Sequence, residues 1–367
     1  MKKSIYIITT ASLPWRTGTS INPLYRSICL AKMENNVTLL LPWLNRKSQQ
    51  QLYHQEFKST SELVSFINEE IKDSKLINIE FYQARLITLS GLQSIYPKER
   101  IDRIIPFCET LIIEEPERLL LLTLFKRLKF NPNNIIGVIH TNYDYFLIKH
   151  YPKWVRNVLR LYTTFLMNKY CHRIIHLSKV TQKTFNNGEI LPINGVRKEY
   201  FSTLHLSKPD TSVYFIGKVI WEKGFKELID LMSYANLNLT IDCYGNGHNK
   251  QQIIQYANKN NVNLNIHSTI THPAHDLQRY KIFINPSYSE VLCTTTLEAI
   301  AMGKWVLIPK HISNDYFYQF KNVLVYDDNK SFKLLLTKAI KSPAPLDPTT
   351  QKLEWLSVTQ EYLTQLI

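Results

Sequence analysis

Short apolar runs alternate with longer amphipathic stretches along the first half of the chain, and polar residues follow each run. The runs are residues 5–8, 37–41, 111–113 and 135–139. This alternation predicts buried parallel strands joined by helices, with the polar residues at the carboxyl edge where ligands gather. Asn22 and Pro23 predict the N-cap and first residue of a helix over 22–34.

The second half repeats the alternation more regularly. Its predicted strands are residues 213–216, 237–244, 282–284 and 305–308. Helices are predicted over 225–234 and 294–302, and Gly303 closes the second of them. Pro192 and Gly195 interrupt the pattern, which predicts a domain boundary between positions 194 and 195.

The predicted architecture is α/β, with two Rossmann-like domains that face each other across a cleft. We expect the N-terminal domain to comprise residues 1–194 and the C-terminal domain residues 195–345. A helix is predicted over 351–366, and segment 346–367 is expected to pack back toward the N-terminal domain. Two domains also suit a length of 367 residues, which exceeds what one ordinary hydrophobic core encloses.

The chain carries a surplus of positive charge, with 44 Lys and Arg residues against 30 Asp and Glu residues. The net charge of +14 suits an anionic partner: nucleic acid, an acidic membrane surface or a phosphorylated substrate. Five scattered cysteines indicate a reducing compartment rather than a disulfide framework. No apolar run is long enough for a transmembrane segment, and we expect no cleavable leader before the first strand.

The clearest chemical pattern lies in residues 285–299. Glu290 and Glu298 flank the start of a predicted helix, with seven residues between them. Backbone N–H groups at that helix start form an anion site suited to a diphosphate, so Glu298 would reach ribose hydroxyls and Glu290 those of a sugar. The alternative is that both glutamates are ordinary solvated charges. The small-residue loop and helix in register with them argue against that alternative.

A second loop of the same half, 217–224, holds Lys218 and Lys223 between two glycines. These ammonium groups could neutralise a departing diphosphate, although loop lysines are usually only solvated. Residues 244–247 repeat the strand–glycine arrangement one unit later. They lack the third glycine of a dinucleotide fingerprint, so an NAD site is not expected.

Five segments together resemble the retaining GT-B-fold glycosyltransferases that share the Glu-x7-Glu signature. They are residues 9–24, 140–143, 224–232, 243–247 and 282–304. They are most similar to the digalactosyldiacylglycerol synthases of photosynthetic organisms, and the loop 9–24 is the most specific part. The resemblance implies a GT-B fold and transfer of an α-galactosyl unit from UDP-galactose to monogalactosyldiacylglycerol, in an α-1,6 linkage.

The resemblance also implies roles for individual residues. Those implied to be catalytic are Glu290, His140, Lys218 and Lys223. Those implied to bind the donor are Gly18, Gly217, Val291, Leu292, Cys293, Thr294 and Glu298. No cofactor is expected besides the UDP-galactose substrate, and no metal, since the chain lacks the metal-holding Asp-x-Asp of the other main glycosyltransferase fold.

Two positions depart from the family pattern. Related transferases usually carry arginine where Lys218 stands, and lysine keeps the charge but loses the planar fork. Arg197 stands where an acid or an amide is commoner, and the sequence assigns it no role.

A basic, aromatic-bearing stretch in the first half is typical of an interfacial helix. Its members are Lys149, His150, Tyr151, Lys153, Trp154, Arg156, Leu159, Arg160 and Phe165, with Lys126, Arg127 and Lys129 upstream. An ordinary solvated helix face is the alternative, and the lipid acceptor implied by the resemblance favours the membrane. The residues expected to meet the acceptor or the membrane are Trp15, Arg16, Lys153, Trp154 and Arg156.

The expected partners are a UDP-sugar, a galactolipid acceptor and an anionic membrane surface, with no nucleic acid and no obligate protein partner. The expected location is the surface of a plastid membrane, or the cytoplasmic face of a bacterial membrane. Three alternatives stay open: a retaining hexosyltransferase that uses UDP-glucose or another lipid or glycan acceptor, a basic nucleic-acid-binding protein, and a non-catalytic membrane-binding homologue. The sequence contains no recognised nucleic-acid-binding motif, and the intact glutamates and lysines argue against the non-catalytic homologue.

Overall fold

The computed structural model describes residues 2–89, 92–123, 132–142, 145, 151–185, 187–201, 213–268, 270 and 273–367. It divides into two compact units, Met1–Asn194 with Thr359–Ile367, and Gly195–Val358. Several residues singled out from the sequence lie outside the described part, namely Lys126, Arg127, Lys129, Tyr143, Lys149 and His150.

The first unit contains an eight-stranded sheet. Its strands are β1 (Ser4–Ile8), β2 (Asn36–Trp43), β3 (Asn78–Leu89), β4 (Leu92–Pro97), β5 (Thr110–Glu114), β6 (Asn134–Ile139), β7 (Arg173–His176) and β8 (Glu189–Ile190). They are ordered β4-β3-β2-β1-β5-β6-β7-β8, and all neighbours are parallel except β3 and β4. The order reverses between β1 and β5, where ligands meet the carboxyl edge of a doubly wound sheet.

Helices connect most of these strands. In the described part of the first unit they are α1 (Gly18–Lys32), α2 (Arg46–Tyr53), α3 (Thr60–Glu70), α4 (Ile101–Ile104), α5 (Pro116–Leu119), α6 (Lys153–Tyr170) and α7 (Lys179–Phe185). Short 3₁₀ turns lie at Lys72–Leu76 and Leu121–Thr123. Every residue of β5 is buried, as expected for a parallel strand covered on both faces.

The start of α1 differs from the prediction. The N-cap is Thr17, so the assignment of that role to Asn22 was wrong. Pro23 consequently lies inside the helix, where it has no N–H to donate to the carbonyl of Thr19. The Thr9 hydroxyl donates to that carbonyl instead, which compensates for the missing helical hydrogen bond.

The second unit contains a six-stranded sheet. Its strands are β9 (Val213–Ile216), β10 (Thr240–Tyr244), β11 (Asn263–His267), β12 (Ile282–Ile284), β13 (Trp305–Pro309) and β14 (Val323–Tyr326). All neighbours are parallel in the order β11-β10-β9-β12-β13-β14, which reverses between β9 and β12. Its helices are α8 (Phe225–Ala235), α9 (Lys250–Lys259), α10 (Pro273–Asp276), α11 (Thr294–Ala301), α12 (Asn329–Lys341) and α13 (Trp355–Val358). Further 3₁₀ turns lie at Lys198–Tyr200, Trp221–Lys223, Ile312–Gln319 and Pro348–Leu353.

The single helix predicted over 351–366 is wrong. A 3₁₀ turn ends at Leu353, α13 begins at Trp355, and a π turn follows at Thr359–Leu363. The break arises because Val196 holds this stretch extended: its N–H donates to Leu353 O at 2.7 Å and its carbonyl accepts from Trp355 N at 3.1 Å. The second unit therefore extends to Val358 rather than to position 345.

The strands predicted from apolar runs are all confirmed, within a few residues at their ends. The sequence missed β3, β4, β7, β8, β11 and β14. All of these lie toward the sides of the two sheets, and all except β14 contain polar or charged residues.

Candidate active site

Two predicted loops meet at the carboxyl edge of the second unit's sheet. Gly217 follows β9, and its loop runs past Lys218 and Lys223 to Gly224. The other loop follows β12 and leads to α11. Gly224 has a φ of 83°, and a Cβ there would lie 2.9 Å from the backbone of Pro286 in the second loop. The two loops are therefore in direct contact beside the point where the strand order reverses.

Residues 244–247 support the first loop by close backbone packing. Gly217 N–H donates to Tyr244 O at 3.1 Å, and Val219 N–H donates to Asn246 O at 3.0 Å. A Cβ at Gly245 would lie 2.0 Å from the carbonyl oxygen of Gly217, so no larger residue fits. This glycine is explained by packing against the loop that carries the lysines.

Lys223 and Glu290 form an ion pair across the two loops. The Lys223 Nζ–Glu290 Oε1 distance is 2.6 Å, and both side chains are largely buried, with 23% and 20% exposed. Burial and the neighbouring Lys223 charge lower the pKa of Lys218, although part of its side chain reaches solvent. Two lysines and one glutamate thus concentrate positive charge at this edge.

The loop after β12 is held to α11 by buried polar contacts. Asn285 Nδ2 donates to Thr296 Oγ1 at 3.0 Å, and Asn285 Oδ1 accepts from Ser287 N–H at 3.1 Å. Ser289 N–H donates to Ser287 Oγ at 3.2 Å. These bonds fix the loop immediately before Glu290 and explain the small polar residues that precede it.

The N-terminus of α11 is the predicted diphosphate site. Cys293 is its N-cap, and Val291, Leu292 and Cys293 are buried, whereas Thr294 is half-exposed. The first hydrogen bond within the helix joins Leu297 N–H to Cys293 O at 3.2 Å. The N–H groups of this first turn carry the positive end of the helix dipole.

Glu298 lies one turn further along α11 and is half-buried, in a polar cluster with the buried Tyr200. The Tyr200 hydroxyl hydrogen-bonds to its carboxylate, and Arg197 NH2 donates to that hydroxyl at 2.8 Å. Burial raises the pKa of Glu298 to about 7, while the Arg197 charge and the Tyr200 hydrogen bond act in the opposite direction. Arg197, for which the sequence supplied no role, is therefore an electrostatic neighbour of Glu298.

His140 lies at the carboxyl edge of the first unit's sheet, directly after β6. Its Nε2 is hydrogen-bonded to Glu114, the last residue of β5. The other carboxylate oxygen of Glu114 is paired with Arg26 of α1, and neither Arg26 nor Glu114 has any exposed side-chain surface. Complete burial opposes ionisation of Glu114, but the Arg26 charge and the hydrogen bonds from Arg26 and His140 hold its pKa below its usual value.

The N-terminal loop contributes Gly18, Trp15 and Arg16. Gly18 opens α1, and a Cβ there would lie 3.5 Å from Asn22 Nδ2, an ordinary van der Waals contact. Trp15 is half-buried, and the exposed Arg16 pairs with Glu70 of α3. These three residues lie after β1, and their contacts with donor, acceptor or membrane stay predictions.

Helix α6 exposes an apolar stripe. The stripe consists of Trp154, Val158, Leu161 and Phe165, which are 69%, 58%, 68% and 45% exposed. Spacings of four, three and four residues place them on one helical face. Lys153 is exposed, but Arg156 is half-buried and lies off this face. The two predicted cations therefore differ in their access to a membrane that contacts the stripe. No helix in the described ranges is long and apolar enough to cross a bilayer.

Two residues that the sequence did not assign to a site are bonded to predicted ones, Tyr200 to Glu298 and Glu114 to His140. Two more, Arg197 and Arg26, are bonded to Tyr200 and Glu114 in turn. Arg197 could be noticed in the sequence because it departs from the family pattern. Glu114 had only its place at a strand end. Across the described ranges, no three His, Cys, Asp or Glu side chains lie close enough to hold a metal ion.

Comparisons with known proteins agree in family and fold. A profile of the family Glycosyl transferases group 1 matches residues 196–352. Digalactosyldiacylglycerol synthase 2, chloroplastic, of Glycine max is 35% identical over 99% of this chain, which spans 83% of that protein. Digalactosyldiacylglycerol synthase 1, chloroplastic, of the same species is 33% identical over 99% of the chain, which spans only 49% of that longer protein.

Among solved structures, Anabaena HepE in complex with UDP and glucose has a TM-score of 0.64 and 13% identity, with 99% of each chain covered. At that identity the likeness establishes the fold alone. The fold is GT-B, with one parallel α/β sheet in each unit apart from the antiparallel strand β4.

Proposed function

Because this chain belongs to the digalactosyldiacylglycerol synthase family of glycosyltransferases, we propose that it transfers an α-galactosyl unit from UDP-galactose to the 6-hydroxyl of monogalactosyldiacylglycerol. The observation that carries the proposal is the Lys223–Glu290 pair beside the N-terminus of α11. Positive charge for a diphosphate and a carboxylate for sugar hydroxyls stand next to each other there, at the position where doubly wound sheets bind nucleotides.

In the proposed reaction, the first turn of α11, Lys218 and Lys223 hold the donor diphosphate. The bond between the anomeric carbon and the diphosphate oxygen breaks, and these groups stabilise the negative charge that develops on UDP. The acceptor 6-oxygen bonds to the anomeric carbon on the face that UDP leaves, and its proton passes to a departing phosphate oxygen. The products are UDP and digalactosyldiacylglycerol, with the α configuration retained and no metal required.

In this reaction the Lys223–Glu290 pair connects the residue that holds the donor diphosphate with the residue that binds the donor sugar. Glu290 accepts a hydrogen bond from Lys223 and keeps a second oxygen for sugar hydroxyls. Movement of Lys223 toward the departing diphosphate would therefore also change the position of Glu290, which orients the sugar. Glu298, further along α11, binds the ribose in this scheme.

A UDP-glucose donor is the second candidate. One hydroxyl configuration separates glucose from galactose, and Glu290 can accept a hydrogen bond from either. Anabaena HepE, which shares the fold, is also described in complex with UDP-glucose.

We place the reaction at a chloroplast membrane surface, because the relatives are chloroplastic proteins named for a galactolipid product. The apolar stripe of α6, with the exposed Lys153 and Arg160 beside it, supplies the docking element. Apolar side chains can enter the acyl boundary while the cations meet anionic head groups.

The test uses purified protein, vesicles that contain monogalactosyldiacylglycerol, and labelled UDP-galactose or UDP-glucose, with lipid products separated and their linkage determined. We expect α-linked digalactosyldiacylglycerol from UDP-galactose. Lys223→Met should lower kcat on the order of 100-fold, because it removes charge stabilisation from the leaving group.

Lys226→Met is the matched control, since Lys226 pairs with Asp230 on the surface of α8 and should keep the wild-type rate. Absence of a digalactosyl product with either donor, from protein shown to be folded, would refute the proposal. Product from UDP-glucose alone would establish the second candidate.

A further inference from the structure

A buried charge cluster in the first unit has no part in the scheme above. Glu114 lies between the Arg26 guanidinium and the His140 imidazole, at the point where the strand order reverses between β1 and β5. Arg26 also donates to Asn194 Oδ1 at 2.9 Å. A buried ion pair is a poor source of stability, because desolvation of both charges offsets their attraction. Its presence at a ligand-binding edge therefore calls for another reason.

We propose that Glu114 is a positioning residue for His140, and that Arg26 balances the charge of Glu114. The inference rests on the proposed function, and it takes the catalytic role of His140 from the family resemblance. Glu114 accepts the Nε2–H of His140, which leaves Nδ1 as the ring nitrogen available to a substrate. Within the described ranges, no side chain or backbone group is hydrogen-bonded to that Nδ1.

The charge balance explains why Arg26 is needed. An ionised Glu114 without a cationic partner would be an uncompensated buried charge, which is strongly destabilising. Arg26 neutralises the carboxylate from its other side. His140 is thereby oriented by a hydrogen bond to a carboxylate whose charge is already balanced by Arg26.

The residue next to His140 is anchored in the same way. Thr141 Oγ1 donates to Glu115 Oε1 at 3.0 Å, and Glu115 is also bonded to Thr10 and paired with Arg118. Consecutive residues after β6 are thus tied to consecutive residues at the end of β5. Glu115 and Arg118 are further charged groups near this edge, and they form their own ion pair.

A double-mutant cycle tests whether Glu114 acts through His140. We expect Glu114→Gln to lower kcat on the order of 10- to 100-fold in the wild-type protein, because it releases the orientation of the ring. In a His140→Ala background the same substitution should change kcat by less than about twofold. Equal losses of kcat in both backgrounds would overturn the proposal.

Two further variants separate positioning from stability. Asp102→Asn removes another buried carboxylate that is paired with an arginine, Arg100, and should leave kcat unchanged. If Glu114→Gln fails to fold, the double variant Arg26→Met with Glu114→Gln removes both buried charges together, a change that proteins often tolerate. A folded double variant with wild-type kcat would also overturn the proposal.

A spectroscopic measurement needs no turnover. In protein with ¹⁵N-labelled histidine, the ring signals that disappear in His140→Ala should report a proton on Nε2, and Glu114→Gln should alter them. Unchanged ring signals in folded Glu114→Gln would contradict the positioning role. Because this readout does not depend on the acceptor, failure of the galactosyl transfer assay and failure of the Glu114 proposal remain distinguishable.

Discussion

Ionisation of the Glu298 carboxylate is opposed by burial and favoured by two neighbours, Arg197 and Tyr200. Its pKa of about 7 exceeds the ordinary value of 4.5, so the folded protein favours the protonated form. The stability gained from that protonation is complete below pH 4.5 and is lost as the pH rises through 7. At pH values above 7 the ionised, buried carboxylate therefore reduces the free energy of unfolding.

We expect wild-type protein to lose up to about 3 kcal/mol of unfolding free energy, relative to Glu298→Gln, between pH 4.5 and 7. Denaturant unfolding of both proteins across this range measures the difference. Glu227→Gln on α8 serves as the control for loss of a carboxylate elsewhere in the second unit. Parallel curves for wild type and Glu298→Gln would contradict the prediction.

At this scale the sequence predicted residues that belong to local motifs. Lys223 and Glu290 stand in short segments with recognisable spacing, and the structure brings them within hydrogen-bonding distance. Arg26, Glu114 and His140 are far apart in sequence, and only the folded sheet brings them together. The spacing of residues along the sequence could therefore not predict that these three are in contact, although His140 itself was singled out.

Among the helices and strands, those defined by local sequence were predicted, and those defined by contacts with distant residues were not. Strands such as β5 and β12 contain buried apolar runs, residues 111–113 and 282–284, and were predicted from them, because buried parallel strands read as continuous apolar runs. In β11 the residues alternate between Asn and apolar types, and only its pairing with β10 defines it as a strand. The start of α1 was misplaced because Pro23 commonly marks a first turn, whereas here Thr9 supplies its missing hydrogen bond.

Helix α6 carries the prediction that belongs to this scale. Trp154→Ser combined with Leu161→Ser should lower binding to vesicles with anionic lipid by roughly 10-fold or more, because each buried side chain contributes about 1.5–3 kcal/mol. Flotation of vesicles measures the bound fraction, and binding by wild type should weaken with salt.

Leu334→Ser is the matched control for the α6 variant. Leu334 is 71% exposed on α12 and lies in the second unit, so its loss should leave vesicle binding unchanged. If the control reduces binding as much as the α6 variant does, the apolar stripe is not the docking element.

On the scale of the whole molecule, the last residues of the chain belong to the first unit. Leu363 and Leu366 are buried, with 0% and 5% exposed. The carbonyl of Leu366 accepts from Asn134 Nδ2, and that of Ile367 accepts from Lys3 Nζ at 2.8 Å. Segment Thr359–Ile367 therefore contributes both apolar packing and main-chain hydrogen bonds to the unit that contains β1 and β6.

Leu363→Ala should lower the unfolding free energy of the first unit by about 2–5 kcal/mol, the usual cost of a cavity at a fully buried leucine. Limited proteolysis followed by mass spectrometry assigns the loss to one unit. Leu334→Ala should be nearly silent, because that side chain is exposed. A loss confined to the second unit would show that Leu363 does not belong to the first.

The return of Thr359–Ile367 to the first unit also bears on biosynthesis. A ribosome makes this segment only after all of Gly195–Val358, so the nascent first unit lacks Leu363 and Leu366 while the second unit is being translated. The first unit cannot close its hydrophobic core until this segment has been synthesised, after the whole of the second unit. Chaperones that bind exposed apolar surface therefore have a longer interval to act on it than its position at the start of the chain would suggest.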